Sequence, residues 1–214
     1  VLKINPVADE VIVTVTENGA TVTYDGTEHS VKGYKSMTAD NELYDVATSV
    51  KATETAAWTA KGTNAGEYPV GIAAGDFENT NKNFTNVTFN IVDGVLKINP
   101  ITENTITITA NSASKIYDGT PLTDNGFTFT QGVLADGDEL TAVVEGSATN
   151  VGDEGRNVVK SYVVKRGETD VTKNYTFGNS VDGKLTINPR TVTLKSETAS
   201  KEYDGTPLTK PDVT

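Results

Sequence analysis

Cysteine is absent, and histidine, tryptophan and methionine occur once each. Without a thiol, no disulfide scaffold, thiolate metal site or cysteine nucleophile can be built in any compartment. No apolar run approaches the roughly 18 residues of a membrane span. The opening Val-Leu-Lys-Ile-Asn-Pro does not have the shape of a signal peptide. Positive charge is scarce: 18 Lys and Arg face 29 Asp and Glu, a formal net charge of -11 over 214 residues. Such a chain repels phosphate backbones, which argues against nucleic acid as a partner. Hydrophobic residues are a modest 36% and aromatics 7%. They arrive in short alternating runs between Gly, Asn and Asp, however, so the chain reads as folded, with one or two domains and a real core.

What the chain does have is repetition. Leu2-Lys3-Ile4-Asn5-Pro6 returns as Leu96-Lys97-Ile98-Asn99-Pro100 and as Leu185-Thr186-Ile187-Asn188-Pro189. Tyr24-Asp25-Gly26-Thr27 returns as Tyr117-Asp118-Gly119-Thr120 and Tyr203-Asp204-Gly205-Thr206, spaced by 93 and 86 residues. A unit of that size is a small domain in tandem, not a solenoid repeat. The frame places the end of a preceding repeat at 1–6, a first repeat at 7–100, a second at 101–189 and the start of a truncated third at 190–214. The chain therefore reads as a piece cut from a longer array.

Ahead of each Tyr stand apolar pairs in one phase: Val13 and Val15, Ile106 and Ile108, Val192 and Leu194. Threonines fall between them, the period of two of a half-buried strand, expected here in all three copies. Strands in the second copy are expected near 104–110, 115–117, 126–131, 139–146, 157–166, 174–178 and 183–188. The chain holds 34 Thr and 25 Val, β-branched residues that favour pleated surfaces over helices. Leu43, Val46, Ala47 and Val50 have helical spacing, but Thr48, Thr53, Thr55 and Trp58 tilt that stretch toward strands. Asp93-Gly94 and Asp182-Gly183, each between two strand runs, are expected to turn type I′ hairpins. Asn64-Ala65-Gly66-Glu67-Tyr68 is similar to the tyrosine-corner run of immunoglobulin-type domains; the second copy departs from it after Asn150-Val151-Gly152. The fold class is all-β: tandem immunoglobulin-like β-sandwich repeats arranged end to end. The alternative is a β-grasp-like repeat with one short helix in each copy.

Residues that could carry chemistry meet plainer readings. His29 is the sole imidazole, but on the repeat frame it stands where Leu122 and Leu208 do, a position for packing or surface and not catalysis. Asp136, Asp138 and Glu139 could pair for acid–base work, yet they lie in Asp-Gly turn sequence and read as solvated turn acids. Asp40-Asn41-Glu42 with Asp45, the run 76–83, and 136–139 offer oxygen ligands to calcium, but none has the spacing of an EF-hand loop. Trp58, Tyr34 and Tyr44 could line a sugar platform, although large aromatics more often fill cores. Sequons occur at Asn83, Asn86 and Asn174. No catalytic or metal residue, no cofactor and no enzymatic activity is assigned, and binding residues are left open. Tyr-Asp-Gly-Thr reads as a structural turn, with Pro121 and Pro207 marking a bend. The short Asn-Pro joints, free of glycine, should hold neighbouring copies semi-rigidly.

Together, Tyr-Asp-Gly-Thr-Pro-Leu-Thr, Asn-Ala-Gly-Glu-Tyr, Asn-Lys-Asn-Phe-Thr-Asn-Val-Thr-Phe and Asp-Gly-x-Leu-x-Ile-Asn-Pro resemble the YDG/MBG-type tandem repeats of large bacterial cell-surface, adhesin-like proteins. The resemblance covers nearly the whole chain. It implies an extracellular, surface- or wall-attached protein in which monomeric, non-catalytic repeats form a stalk or spacer. The alternatives are a module that itself binds a glycan or host surface protein, and an accessory module of a large secreted hydrolase. It transfers no catalytic residue, and it implies neither nucleic acid nor membrane insertion of this segment.

Overall fold

Val11, Val13 and Val15 are wholly buried, whereas Ile12 between them is 40% exposed. The alternation read from the sequence is thus the alternation of a strand with one face in a core. The structure, a computed structural model, describes residues 2–53, 58–130 and 134–209. It is 49% strand and 5% helix, an all-β protein.

The first copy contains β1 (Val11–Glu17), β2 (Ala20–Thr23), β3 (His29–Lys32), β4 (Tyr34–Ala39), α1 (Val46–Ser49), β5 (Val50–Ala52), β6 (Thr59–Gly62), β7 (Gly66–Pro69), β8 (Phe77–Asn79), β9 (Val87–Val92) and β10 (Val95–Asn99). The second contains β11 (Ile101–Ile106), β12 (Ile108–Ala110), β13 (Ala113–Ile116), β14 (Phe127–Phe129), β15 (Glu139–Glu145), β16 (Gly155–Arg166), β17 (Thr169–Asp170), β18 (Tyr175–Phe177) and β19 (Gly183–Asn188). Every strand expected in the second copy is present; residue 131 lies outside the described residues, and the two-residue β17 was not foreseen.

The copies share a pairing scheme. β1 runs parallel to β9, and β11 parallel to β18. β2 runs parallel to β10 with Leu96 opposite Ala20, and β13 parallel to β19 with Leu185 opposite Ala113. β10 is antiparallel to β7, and β19 to β16. The register of β13 with β19 matches that of β2 with β10, whereas β11 meets β18 at only two positions with an irregularity between them, against six regular ones for β1 with β9.

The same scheme corrects the hairpin expectation. β9 and β10 belong to different sheets, ordered β4-β1-β9 and β2-β10-β7. The chain crosses between sheets at Asp93-Gly94, and neither residue has positive φ. Gly94 is needed for close approach: a Cβ there would lie 2.0 Å from the Asn18 carbonyl oxygen. Gly183 stands at the matching crossing, where a Cβ would lie 2.0 Å from the Asn111 oxygen. Glu17, only 3% exposed, fastens the first crossing by accepting the Gly94 N–H at 2.7 Å and the Ile72 N–H at 2.6 Å.

Two further expectations change. The stretch tilted toward strands makes one helical turn, α1, before β5. Asp45 caps it, taking the Ala47 N–H at 3.0 Å and the Thr48 hydroxyl at 3.0 Å, and local capping outweighs the β-branched neighbours. Val192 and Leu194 are 78% and 75% exposed and lie in no strand. Their counterparts Val13 and Ile106 pair instead with Phe89 of β9 and Phe177 of β18.

By packing, the chain divides into two compact units whose borders differ from those of the sequence repeats. Unit 1 comprises Val1–Ile108, Phe129–Ala142 and Ser161–Ser180, so it unites the first copy with parts of the second. Its core includes β1, Leu96, Ile98, Ile106 and Val164, with Trp58 and Phe77 in ring contact at 5.2 Å. Unit 2 comprises Thr109–Thr128, Val143–Lys160 and Val181–Thr214. Ala148, Leu185 and Ile187 form its core, with Ala113 and Leu122 packed against them. Buried Asn157 ties it internally, donating to the carbonyls of Asn111 at 2.9 Å and Asp124 at 2.8 Å.

Candidate functional site

The Tyr-Asp-Gly-Thr turn is built identically three times. The Asp Oδ1 accepts both the backbone N–H and the hydroxyl of the Thr two residues on. The two distances are 2.8 and 2.8 Å at Asp25, 2.9 and 2.8 Å at Asp118, and 2.9 and 2.7 Å at Asp204. The Gly between them takes φ of 81, 83 and 78°, the left-handed region that its missing Cβ permits. Held this way, the carboxyls of Asp25 and Asp204 fall to about 2, and Asp118 is lowered as well. For Asp25 the Thr27 N–H is the main cause; for Asp118 and Asp204 it is the ammonium of Lys115 or Lys201. Each ammonium also reaches the Thr hydroxyl and the following Pro carbonyl. In the first copy Val22 replaces that lysine in the β-ladder, and the side chain beside the carboxylate is His29, whose Nε2 lies 3.0 Å from Asp25 Oδ1.

The first turn is also gripped from outside, within unit 1. Tyr24 donates its hydroxyl to Asp138 Oδ2 at 2.8 Å, and Tyr175 donates to the same oxygen at 2.5 Å. Arg166 Nε donates to Asp138 Oδ1 at 2.6 Å. Its Nη1 reaches the Gly26 carbonyl at 2.7 Å and its Nη2 the Asp136 carbonyl at 2.8 Å. The Asp138 side chain is fully inaccessible, and that of Arg166 is one-third exposed. The Tyr24 and Tyr175 rings meet edge to face at 5.7 Å. Burial foremost, then the bond to Asp138, raises both phenols above their ordinary value. Arg166 is raised by its bond to Asp138. A second tie lies nearby: Asn174, wholly buried, accepts the Ala65 N–H at 2.7 Å and donates to Asn64 Oδ1 at 2.8 Å.

Asp138 is therefore no solvated turn acid. It is the centre of a buried charged clamp between the first copy's turn and three side chains of the second. Its partners lie 28 and 37 residues ahead and 114 behind, so nothing local betrays them. One signal was available: the chain has three Arg among 18 basic residues, and Arg is the residue suited to forked, buried pairing.

The other candidates fall in different places. His29 pairs across the ladder with Gly62, and Leu122 bridges to Ala148 at the matching place, so the repeat equivalence holds in three dimensions. Asp40 accepts the Ile12 N–H, Asn41 the Leu43 N–H, and Asp76 the Trp58 Nε1–H and Ala73 N–H, so these oxygens serve the protein's own donors. Among the described residues, no three acidic or imidazole groups converge as metal ligands do. Trp58 is 5% and Tyr44 4% exposed, which removes both from any sugar platform; Tyr34 is 40% exposed. Asn83 and Asn86 are exposed, whereas Asn174 is buried in its tie. Tyr68 makes the corner bond expected of it, donating to the Asn64 carbonyl at 2.8 Å. In the second copy Gly155 takes that ladder position, where a Cβ would lie 2.5 Å from the Leu185 oxygen. No family model, no curated protein and no solved structure matches the chain.

Proposed function

We propose that this chain is a non-catalytic spacer: immunoglobulin-like sandwich repeats, joined end to end, that form part of the stalk of a bacterial surface protein. One observation carries the reading. The clamp of Arg166, Asp138 and Tyr175 on the Tyr24 turn fastens one repeat to the next with buried charge, where a mobile tether would leave that turn in water. Only Pro100 separates β10 from β11. The residue types most able to do chemistry are engaged in holding turns and joints, which suits a part selected for shape. The resemblance to YDG/MBG-type repeats supplies the extracellular, surface-attached setting. Small-angle scattering tests it: a compact globule of this length has a radius of gyration of about 17 Å. A spacer gives a value well above that, with a long tail in the distance distribution. A value near 17 Å with one symmetric peak rejects it.

A second reading, a repeat that itself binds glycan, draws support from the Tyr162–Phe177 ring pair, 4.3 Å apart, with Tyr162 40% exposed beside Lys173 and Asp170. Loss of glycan capture in Tyr162→Ala, with unchanged folding, would favour it.

A further inference from the structure

The three turns are alike inside and differ in what covers them. Tyr24 is 2% exposed, Tyr117 40% and Tyr203 97%. The space that a Cβ on Gly26 would fill holds the Arg166 guanidinium, 1.9 Å from that point, whereas the same space at Gly119 is open. The backbone setting is otherwise the same: the Tyr24 N–H donates to the Asn99 carbonyl and the Tyr117 N–H to the Asn188 carbonyl, each at 2.8 Å. Beside the open turn, Ile116 is 62% exposed. Lys115 bonds Asp118, Thr120 and the Pro121 carbonyl.

We infer that the turn Tyr117-Asp118-Gly119-Thr120 is a docking site for a further repeat of the second copy's kind, which would close on it as Arg166, Asp138 and Tyr175 close on the turn at Tyr24. The occupant is defined by chemistry. It must present a guanidinium to the bare face of Gly119 and its carbonyl, and a buried carboxylate to the Tyr117 hydroxyl. A repeat of the first copy's kind does not qualify, since Phe84 stands where Tyr175 does in the repeated Lys-Asn-aromatic-Thr run and offers no hydroxyl. Residues 190–214 hold no counterparts of Asp138, Arg166 and Tyr175 in register. The inference deepens the spacer reading and rests on it: each joint would be made by a later repeat gripping an earlier turn.

The test keeps the whole chain. Tyr203 follows Tyr117 by 86 residues, so Thr214 corresponds to Thr128, and continuing past Thr214 with a second set of residues 129–189 completes the third copy and supplies the clamp. Backbone amide exchange at 117–120 should slow by about tenfold or more relative to the original chain. It should return to the original rate when the appended counterpart of Arg166 is replaced by methionine. An unchanged rate at 117–120, with the appended strands themselves protected, overturns the inference. Should the appended residues not fold, Gly26→Asn in the original chain asks the same question. Asparagine tolerates positive φ but evicts Arg166, and the released clamp should take the Tyr117 turn of another molecule, giving head-to-tail association in sedimentation that Gly119→Asn cancels. A Gly26→Asn variant that stays monomeric at all concentrations, or associates regardless of Gly119→Asn, overturns it. The spacer reading is judged separately, by scattering from the original chain.

Discussion

Replacing Gly94 with alanine decides whether Asp93-Gly94 is a turn or a crossing between sheets. At the crossing, the new methyl would sit 2.0 and 2.7 Å from the carbonyl oxygen and carbon of Asn18, and 2.8 Å from the Glu17 Cβ. Two of these are main-chain atoms that no side-chain rotation can move. Overpacking of that kind costs about 1–3 kcal/mol. The shift also strains the Gly94 N–H bond to buried Glu17, 2.7 Å long, and hydrogen bonds to charged groups contribute about 1.5–3 kcal/mol. The sum is about 2.5–6 kcal/mol, a fall in melting temperature of about 5–24 °C for a chain of this length. Calorimetry and urea unfolding of three variants test it. Gly94→Asn is the discriminating one. In a type I′ turn asparagine is nearly as good as glycine, whereas at the crossing it destabilises at least as much as alanine. Gly75→Ala, where nothing lies within 4 Å, is the control and stays within about 0.5 kcal/mol. Tolerance of Gly94→Asn to within about 1 kcal/mol would refute the argument.

Arg166→Met strands the Asp138 carboxylate and should cost about 3 kcal/mol in denaturant unfolding, while Asp138→Leu combined with Arg166→Met should recover part of that loss; a double variant less stable than the single one contradicts this. On the acid side, Asp25 and Asp204 have folded values near 2, below those of an unfolded chain. Their contribution is present above about pH 4 and is lost as pH falls toward 2. On the alkaline side, Tyr24 and Tyr175 are raised, so their contribution is full below about pH 10 and is lost as pH climbs past it. A melting temperature flat from pH 4 to 2 and above pH 10 would contradict both. Chelator and excess calcium should each shift melting by less than about 4 °C, the change that roughly 1–2 kcal/mol produces; a larger shift would revive the calcium sites.

The strands were legible because their cause is local. Val13 and Val15, or Ile106 and Ile108, need only alternate with threonine to define a buried face, and the repeats supplied the same pattern again in the second copy. The Asp-Gly crossings were not legible, because the dipeptide that allows positive φ is also the one that lets two backbones touch. The deciding partners, Asn18 and Asn111, lie some 70 residues away in sequence. Asp45 shows the opposite error: a cap and one buried serine outweighed a run of threonines. The turn's structural role was readable from its repetition. The clamp was not, because one copy supplies the turn and the other the charge, and a frame that aligns copies with each other hides contacts between them. Only the scarcity of arginine hinted at Arg166.

Were the chain pulled by its two ends, the parallel strand pairs would determine how the load is borne. A pull on the N-terminal side of the first copy enters at the start of β1, and a pull on the C-terminal side leaves from the end of β10. Because β1 runs parallel to β9 over six paired positions and β2 to β10 over four, these pulls slide the partners past each other lengthwise. Hydrogen bonds across a pair loaded this way share the force and must break nearly together, whereas a terminal hairpin pulled from its open end would surrender them one at a time. In the second copy β13 lies parallel to β19 over four positions, while β11 meets β18 at only two. The strand order that defeats a hairpin reading of Asp93-Gly94 is also the one that would load β1 with β9 and β2 with β10 in shear.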